Sequence, residues 1–324
     1  MKDRLKVLSS VNLDFDDDIL EILKKKVNLE FSINSKKKTL KKIVDADVYI
    51  ASAAISLNKE DIRIAKNLKI ILSPSTGTDH IDTNEVKKKN IKFFHIAKER
   101  KLLDSFTATS ELVFGLILNL NRKIIPASID AKKGKWSREK FSGFQLKDKT
   151  LGIIGLGRLG KITAKIANGF SMNVIGHDIK KKKLNNVKTV SLNYLFKKSD
   201  IISIHIHLNK NNEKFINKNN LSLMKKNSIM INTSRGKIIN ENDLKHFLVK
   251  NKNFNVGLDV IDGEWLANKK LLQHKLIRYS KNNKNLLIVP HIGGSTSESI
   301  YGARIFMIKK LLNLIKNKKY GLNK

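Results

Sequence analysis

Residues 150–170 constrain the fold of this chain more than any other stretch. An apolar strand pattern, Thr150-Leu151-Gly152-Ile153-Ile154, runs directly into Gly155-Leu156-Gly157-Arg158-Leu159-Gly160 and then into an amphipathic helix pattern over 161–170. The three glycines have separate uses. Gly155 permits a turn too tight for a side chain, Gly157 lets the backbone approach a pyrophosphate, and Gly160 lets the helix pack against the strand. The helix begins with amides that have no partner within it and with the positive end of its dipole, which suits phosphate oxygens. A further strand over 173–176 leads to Asp178, about 20 residues beyond the glycines. A carboxylate there hydrogen-bonds the hydroxyls of an adenosine ribose and repels a 2′-phosphate, so the pattern predicts an NAD site and disfavours NADP. The cationic run at 180–183 leaves acceptance of NADP open.

The rest of the chain continues the alternation. Strand patterns at 5–9, 47–51, 69–72 and 92–95 are separated by helix patterns at 16–25, 59–66 and 83–89. A second series of strands, at 150–154, 173–176, 201–205, 228–232, 256–260 and 286–289, includes helices at 192–198, 219–225 and 241–251 and ends in a helix over 295–316. Such alternation predicts α/β architecture with parallel sheets. A long helix over 105–121, apolar at Leu112, Val113, Leu116, Ile117 and Leu120, is long enough to bridge two domains. Residues 130–145, with Gly134, Trp136 and Gly143, read as an irregular arm.

Composition excludes several classes of function. None of the 324 residues is cysteine, so disulfide frameworks, zinc ribbons and thiol nucleophiles are ruled out. The N-terminus lacks an apolar signal core and a small-residue cleavage site, and the apolar run near 112–120 is too short and broken to cross a bilayer. A cytoplasmic protein without a membrane or metal partner is expected. The net charge of +35 raises nucleic-acid binding as a competing hypothesis, which salt-dependent retention on DNA would support. Only nine of the 64 basic residues are Arg, however, and the lysines lie in short runs at 36–38, 87–89 and 180–183. Nucleic-acid sites concentrate charge and use the bidentate fork of Arg. The surplus therefore reads as drift toward AT-rich codons, no nucleic-acid partner is expected, and the charge serves at most to attract anionic substrates.

Three further segments follow predicted strands. Ile231-Asn232-Thr233-Ser234-Arg235-Gly236 presents a guanidinium, Gly257-Leu258-Asp259-Val260 followed by Glu264 presents carboxylates, and Val289-Pro290-His291-Ile292-Gly293-Gly294-Ser295 presents an imidazole. Ligands of open α/β sheets bind outside the carboxyl ends of the strands, so these groups share an edge with the glycine turn. A cation, a base near neutrality and an acid to tune it are what proton-coupled transfer from a hydroxy acid requires.

Taken together, these segments resemble the D-isomer-specific 2-hydroxyacid dehydrogenases, a family that includes phosphoglycerate, glycerate and D-lactate dehydrogenases. The likeness runs through nearly the whole chain. It includes Ser75-Thr76-Gly77-Thr78-Asp79-His80-Ile81-Asp82, residues 107–111, the Trp136 arm, the glycine turn and Ser203-Ile204-His205. With the alternation, it implies two doubly wound parallel-sheet domains. A Rossmann NAD-binding domain at 101–291 would be inserted in a flavodoxin-like substrate domain made of 1–100 and 292–324.

The resemblance also implies roles. Arg235 would grip the substrate carboxylate and polarise its carbonyl, His291 would be the general acid and base, and Glu264 would hydrogen-bond His291 and raise its pKa. Gly155, Gly157, Arg158, Leu159, Gly160, Asp178, His205, Ile206, Thr233, Ser234, Asp259, Gly293 and Gly294 would bind NAD, and Ser75, Thr76 and Gly77 would bind substrate with Arg235 and His291. Trp136 and Phe141 would pack a homodimer through the NAD-binding domain. His80 would lie in a loop near the substrate entrance, while His177, His246 and His274 would be solvated. His207 and Trp265 depart from the family, which commonly has Pro there; both are expected to lie outside the chemistry. The chain ends soon after its last helix, so feedback through a C-terminal regulatory domain is not expected. The implied activity is NAD-dependent interconversion of a small anionic D-2-hydroxy acid and its 2-keto acid. D-3-Phosphoglycerate leads on the segments at 75–82 and 291–299. The alternatives are reduction of glyoxylate or hydroxypyruvate, or an NAD-sensing interaction protein on the same scaffold.

Overall fold

Continuous apolar runs become the strands of two separate parallel sheets. The computed structural model describes residues 4–14, 16–180, 182, 184–265 and 268–322. Contacts divide the chain into one unit formed by Met1–Phe106 and Thr296–Lys324 and another formed by Thr107–Ser295. These divisions lie six residues beyond an expected boundary after residue 100 and four beyond one after residue 291.

The first unit contains β1 (Leu5–Ser9), β2 (Val27–Phe31), β3 (Val48–Ile50), β4 (Ile70–Ser73) and β5 (Lys92–His95), ordered β2-β1-β3-β4-β5 with all neighbours parallel. This is the flavodoxin-like order, reversing beside the first strand. Short polar side chains start its helices. Asp16 caps Asp17–Lys26, Ser35 caps Lys36–Ile43, and Asn58 with Asp61 forms a capping box on Lys59–Ile64. The helix Ser297–Lys316 adds Ala303, Met307, Ile308, Leu311 and Leu314 to a core that also holds Leu5, Val7, Val48 and Ile70. Full burial of one such Leu or Ile side chain stabilises by about 1.5–3 kcal/mol. The last helix is thus structural to a sheet formed early in the chain.

The second unit contains β6 (Thr150–Ile154), β7 (Asn173–His177), β8 (Lys188–Thr189), β9 (Ile201–Ile204), β10 (Ile229–Asn232), β11 (Asn255–Leu258) and β12 (Leu286–Ile288). Their order is β12-β11-β10-β9-β6-β7-β8, again parallel throughout. The chain begins at β6 in the middle, builds outward through β7 and β8, then returns to β9 on the other side. That reversal opens a crevice between the ends of β6 and β9, the Rossmann ligand position. One face of the sheet packs Leu151, Ile153 and Ile231 with Val113, Leu116, Ile117 and Leu120 of the helix Ala108–Arg122. That helix lies wholly in this unit. The other face packs Ile202, Ile204 and Met230 with Leu244 and Leu248 of the helix Glu241–Lys250.

The arm is more ordered than its composition suggests. Its start is the end of a helix, Ile124–Ala131, and it includes a 3₁₀ turn, Arg138–Phe141. No single helix among the described residues is long and apolar enough to cross a membrane.

Candidate active site

The turn after β6 has the geometry its glycines require. Gly155 has φ 97°, and a Cβ there would meet the His205 carbonyl within van der Waals distance. A Cβ on Gly160 would overlap the Gly155 carbonyl, so that glycine lets the helix Arg158–Gly169 start against the strand. Gly157 faces open space, and no side chain caps the helix. Arg158 and Leu159 form its first turn, held by a Ser110 hydroxyl that donates to the Leu159 carbonyl at 3.0 Å.

At the end of β7, Asp178 accepts the Leu156 amide on Oδ2 and the Lys180 amide on Oδ1, both at 2.9 Å. Its Oδ2 also pairs with Lys182 at 2.7 Å. Burial opposes the carboxylate charge, but the Lys182 pairing and these amides outweigh it and hold the pKa below its usual value. His205, at the end of β9, pairs Nε2 with the Ser203 hydroxyl at 2.8 Å. Burial pushes its pKa down to about 4, so the ring is neutral near pH 7. Ile206 packs beside Gly155. Buried His205 Nδ1 and, after β10, buried Thr233 Oγ1 have no hydrogen-bond partner among the described residues. Ser234 does: its hydroxyl donates to the Ile204 carbonyl at 2.6 Å and ties the ends of β9 and β10 together.

The turn after β10 is shaped by buried Asn232. Its amide nitrogen donates to the Arg235 carbonyl at 3.0 Å, and its carbonyl oxygen accepts the Ser234 amide at 3.0 Å. Arg235 itself donates to the Ser234 carbonyl at 2.7 Å. The next residue, Gly236, lies so close to the following turn that a Cβ would overlap the Ile261 carbonyl group and the Asp262 amide. Absence of a side chain at Gly236 therefore sets how near the Arg235 loop lies to the loop bearing Glu264.

His291 follows β12 with φ 53°, a left-handed conformation that costs a non-glycine residue roughly 1–2 kcal/mol. Three bonds to Asp259 hold it there. The His291 amide donates to the Asp259 carbonyl at 2.8 Å, and the Ile292 and Gly293 amides donate to its carboxylate at 2.6 and 2.9 Å. Burial of Asp259 raises its pKa despite those two donors. Gly293 admits the close approach, since a Cβ would press on the carboxylate; Gly294 is exposed with open space around it. The imidazole Nδ1 lies 2.8 Å from Glu264 Oε1. Burial alone would depress the His291 pKa, but the hydrogen bond and charge of Glu264, with the charge of Asp259, raise it above the usual histidine value against the opposing charge of Arg235. The second unit thus brings Arg235, Glu264 and His291 together. No group of three or more His, Cys, Asp or Glu among the described residues could hold a metal ion.

The NAD-binding-domain profile of the D-isomer specific 2-hydroxyacid dehydrogenases matches residues 114–293. The chain belongs to that family. A hydroxypyruvate reductase of Thermotoga maritima is 34% identical over 304 residues, covering 93% of this chain and 96% of that protein. A D-3-phosphoglycerate dehydrogenase of Methanocaldococcus jannaschii is 31% identical over 305 residues, which are 91% of this chain but only 56% of that protein. Among solved structures, the D-lactate dehydrogenase of Aquifex aeolicus with NAD and lactic acid has a TM-score of 0.83 at 27% identity, covering 96% of this chain and 95% of that one.

The chain is accordingly an NAD-dependent D-2-hydroxyacid dehydrogenase, acting on a CH–OH group. Its second unit fits NAD in its own right: an uncapped helix start faces open space at Gly157, and two buried polar atoms at the strand ends await partners.

Several expectations for this dehydrogenase need correction. Trp265 is not remote from the candidate acid–base residue. Its indole stacks on the His291 imidazole with centroids 5.5 Å apart and planes inclined by 29°. His274 is not solvated, because Nε2 pairs with Glu241 at 3.0 Å while Nδ1 accepts the Leu276 amide. The other Glu241 oxygen accepts the Asp262 amide at 2.8 Å, so this pair buttresses the loop leading to Glu264. His177 is half-buried, with Nδ1 3.1 Å from the Val190 carbonyl. In the first unit His80 is buried, with Nε2 3.3 Å from the Ser73 hydroxyl. That hydroxyl also meets Ser75, whose own hydroxyl donates to the Gly77 carbonyl at 2.9 Å and shapes the Ser75-Thr76-Gly77 turn after β4. The contacts of Trp265 and Glu241 depend on loop geometry, and only the neighbouring Glu264 hints at them in the sequence.

Proposed function

We propose that the enzyme interconverts D-3-phosphoglycerate, or an unphosphorylated D-2-hydroxy acid of the glycerate or glycolate type, with the matching 2-keto acid. The Glu264–His291 pair supports the acid–base part of this reading most directly. A carboxylate only accepts hydrogen bonds, so Nδ1 carries a proton and Nε2 is left to exchange one with substrate. His291 takes the hydroxyl proton during oxidation and returns it during reduction, and Glu264 stabilises the imidazolium between those events. Arg235 binds the substrate carboxylate and draws charge toward the carbonyl oxygen. Ser75, Thr76 and Gly77 are the substrate-binding candidates of the first unit. NAD, when bound, supplies the hydride acceptor or donor. Gly155, Gly157, Arg158, Leu159 and Gly160 hold its phosphates, Asp178 its ribose, and His205, Ile206, Thr233, Ser234, Asp259, Gly293 and Gly294 line its remaining length.

The segments at 75–82 and 291–299 favour the 3-phospho ester as substrate. The near full-length match to a hydroxypyruvate reductase favours the unphosphorylated acid as the second reading. Assay of NADH oxidation with 3-phosphohydroxypyruvate, hydroxypyruvate, glyoxylate, pyruvate and 2-oxoglutarate decides between them. Turnover confined to pyruvate or 2-oxoglutarate, or surviving in His291→Ala, would overturn the proposal. Tight NADH binding without turnover of any would favour an NAD-sensing role.

A homodimer is part of the same reading. Trp136 is 86% exposed, and Ile124, Ile125 and Ile129 on the preceding helix are each about half exposed. Sedimentation of the wild type against Trp136→Ser tests whether a second copy covers these side chains.

A further inference from the structure

The turn Ile261–Trp265 makes two different contacts with one imidazole. Glu264 meets the ring at its edge, 2.8 Å from Nδ1. Trp265 meets its face, at a centroid distance of 5.5 Å and a tilt of 29°. A hydrogen bond at one nitrogen leaves a ring free to swing about that contact, and a flat surface against its face removes the swing. Trp265 is 53% exposed, so the hydrophobic core does not account for its placement. An indole face is electron-rich and attracts a cation lying over it. The other charged groups acting on this ring are Glu264, Asp259 and Arg235; the indole is the aromatic surface against it.

We propose that Trp265 is a positioning residue for His291, holding the plane of the imidazole and stabilising its cationic form through the indole face. This rests on His291 being the acid and base of the reaction. Glu264 and Trp265 divide the work: the carboxylate selects the tautomer, and the indole fixes the orientation of Nε2. The relevant replacement is therefore one that keeps apolar bulk and removes the aromatic face.

Two experiments test this, the first without substrate or cofactor. The chain has two tryptophans, so Trp136→Phe leaves Trp265 as the sole indole emitter. An imidazolium in contact with an indole quenches its fluorescence more strongly than neutral imidazole does. Emission of the Trp136→Phe protein is expected to fall in one step as pH drops through the His291 titration, and that step is expected to vanish when His291→Gln is added. A pH-independent emission, or a step that persists without His291, overturns the contact whatever the enzyme's substrate proves to be.

The second experiment compares Trp265→Phe with Trp265→Leu in keto-acid reduction. Leu is expected to lower kcat about two- to ten-fold, the range of a partly exposed cation–π contact, and to move the alkaline limb of the pH profile toward lower pH. KM for the keto acid is expected to stay nearly constant, and Phe to restore most of the loss. Equal behaviour of Leu and Phe, or a change confined to KM, would mean that Trp265 supplies bulk or substrate contact and would overturn the positioning role.

Discussion

Oδ2 of Asp259 accepts the amide of Gly293 at 2.9 Å, and through that bond and its neighbours a buried carboxylate sets the backbone on which the His291 ring stands. Asp259 is therefore as much a clamp as a candidate cofactor ligand. Asp259→Ala strands two amides and releases His291 from its left-handed conformation. A loss of about 2–4 kcal/mol in unfolding free energy is expected, at 1–3 kcal/mol for each unsatisfied buried group less some relaxation. Denaturant unfolding checks this, and Asp259→Asn, which keeps one acceptor oxygen, should lose clearly less.

The raised pKa of His291 fixes the sign of the pH dependence. On the proposed role of His291, reduction needs the imidazolium, so kcat/KM for a keto acid should fall as pH rises through that pKa. Oxidation needs the neutral ring and should fall as pH drops through it. Glu264→Gln removes the charge and shifts both limbs toward lower pH, which paired pH–rate profiles in the two directions would reveal. The same interaction favours the folded protein: its contribution is complete below the ordinary histidine pKa of 6.5 and is lost as pH rises through the raised value. His291→Ala should lower turnover by about 10²–10⁴, the usual contribution of general acid–base catalysis.

Gly236→Ala carries a steric prediction. Its methyl group would meet backbone atoms of Ile261 and Asp262, which lack the freedom of a side-chain tip. Overpacking of about 1–3 kcal/mol is expected, with the Arg235 and Glu264 loops forced apart. Calorimetry would show a lower Tm, and steady-state kinetics a lower kcat with NADH affinity largely kept.

Lys182 is bonded to the Asp178 carboxylate at 2.7 Å, so on the proposed role of Asp178 it competes with the cofactor ribose. Lys182→Ala should tighten NADH and weaken NADPH. Each change should be at most about five-fold, because the lysine is part-exposed and such pairs contribute roughly 1 kcal/mol or less. Titration of cofactor fluorescence on the two nucleotides measures both affinities without turnover.

Both sheets are legible in the sequence because a parallel strand covered on two faces is a run of apolar residues, as at Ile70–Ser73 and Ile229–Asn232, where every residue is buried. The edge strand Val27–Phe31 is not, since only Val27 is fully buried and polar residues interrupt it. The helix Lys36–Ile43 is obscured by its five lysines. At the site, Arg235, Glu264 and His291 are legible as chemically apt groups placed after strands. The grip of Asp259 on residues 292 and 293 depends on the φ of His291, and the stacking of Trp265 on the shape of one turn. The Glu241–His274 pair joins residues of two separate helical regions. Local patterns report propensity and burial, and these contacts are set by neither.

The discontinuous make-up of the first unit has a consequence for biogenesis. During synthesis its β-strands leave the ribosome first, yet Ala303, Met307, Ile308, Leu311 and Leu314, which complete their core, are translated after the entire second unit. The early strands must wait, with apolar surface uncovered, while an intervening domain emerges and folds. A nascent chain of this design is most vulnerable to misassociation just before the helix Ser297–Lys316 is made, and stalling there would leave a finished nucleotide-binding domain attached to an unfinished partner.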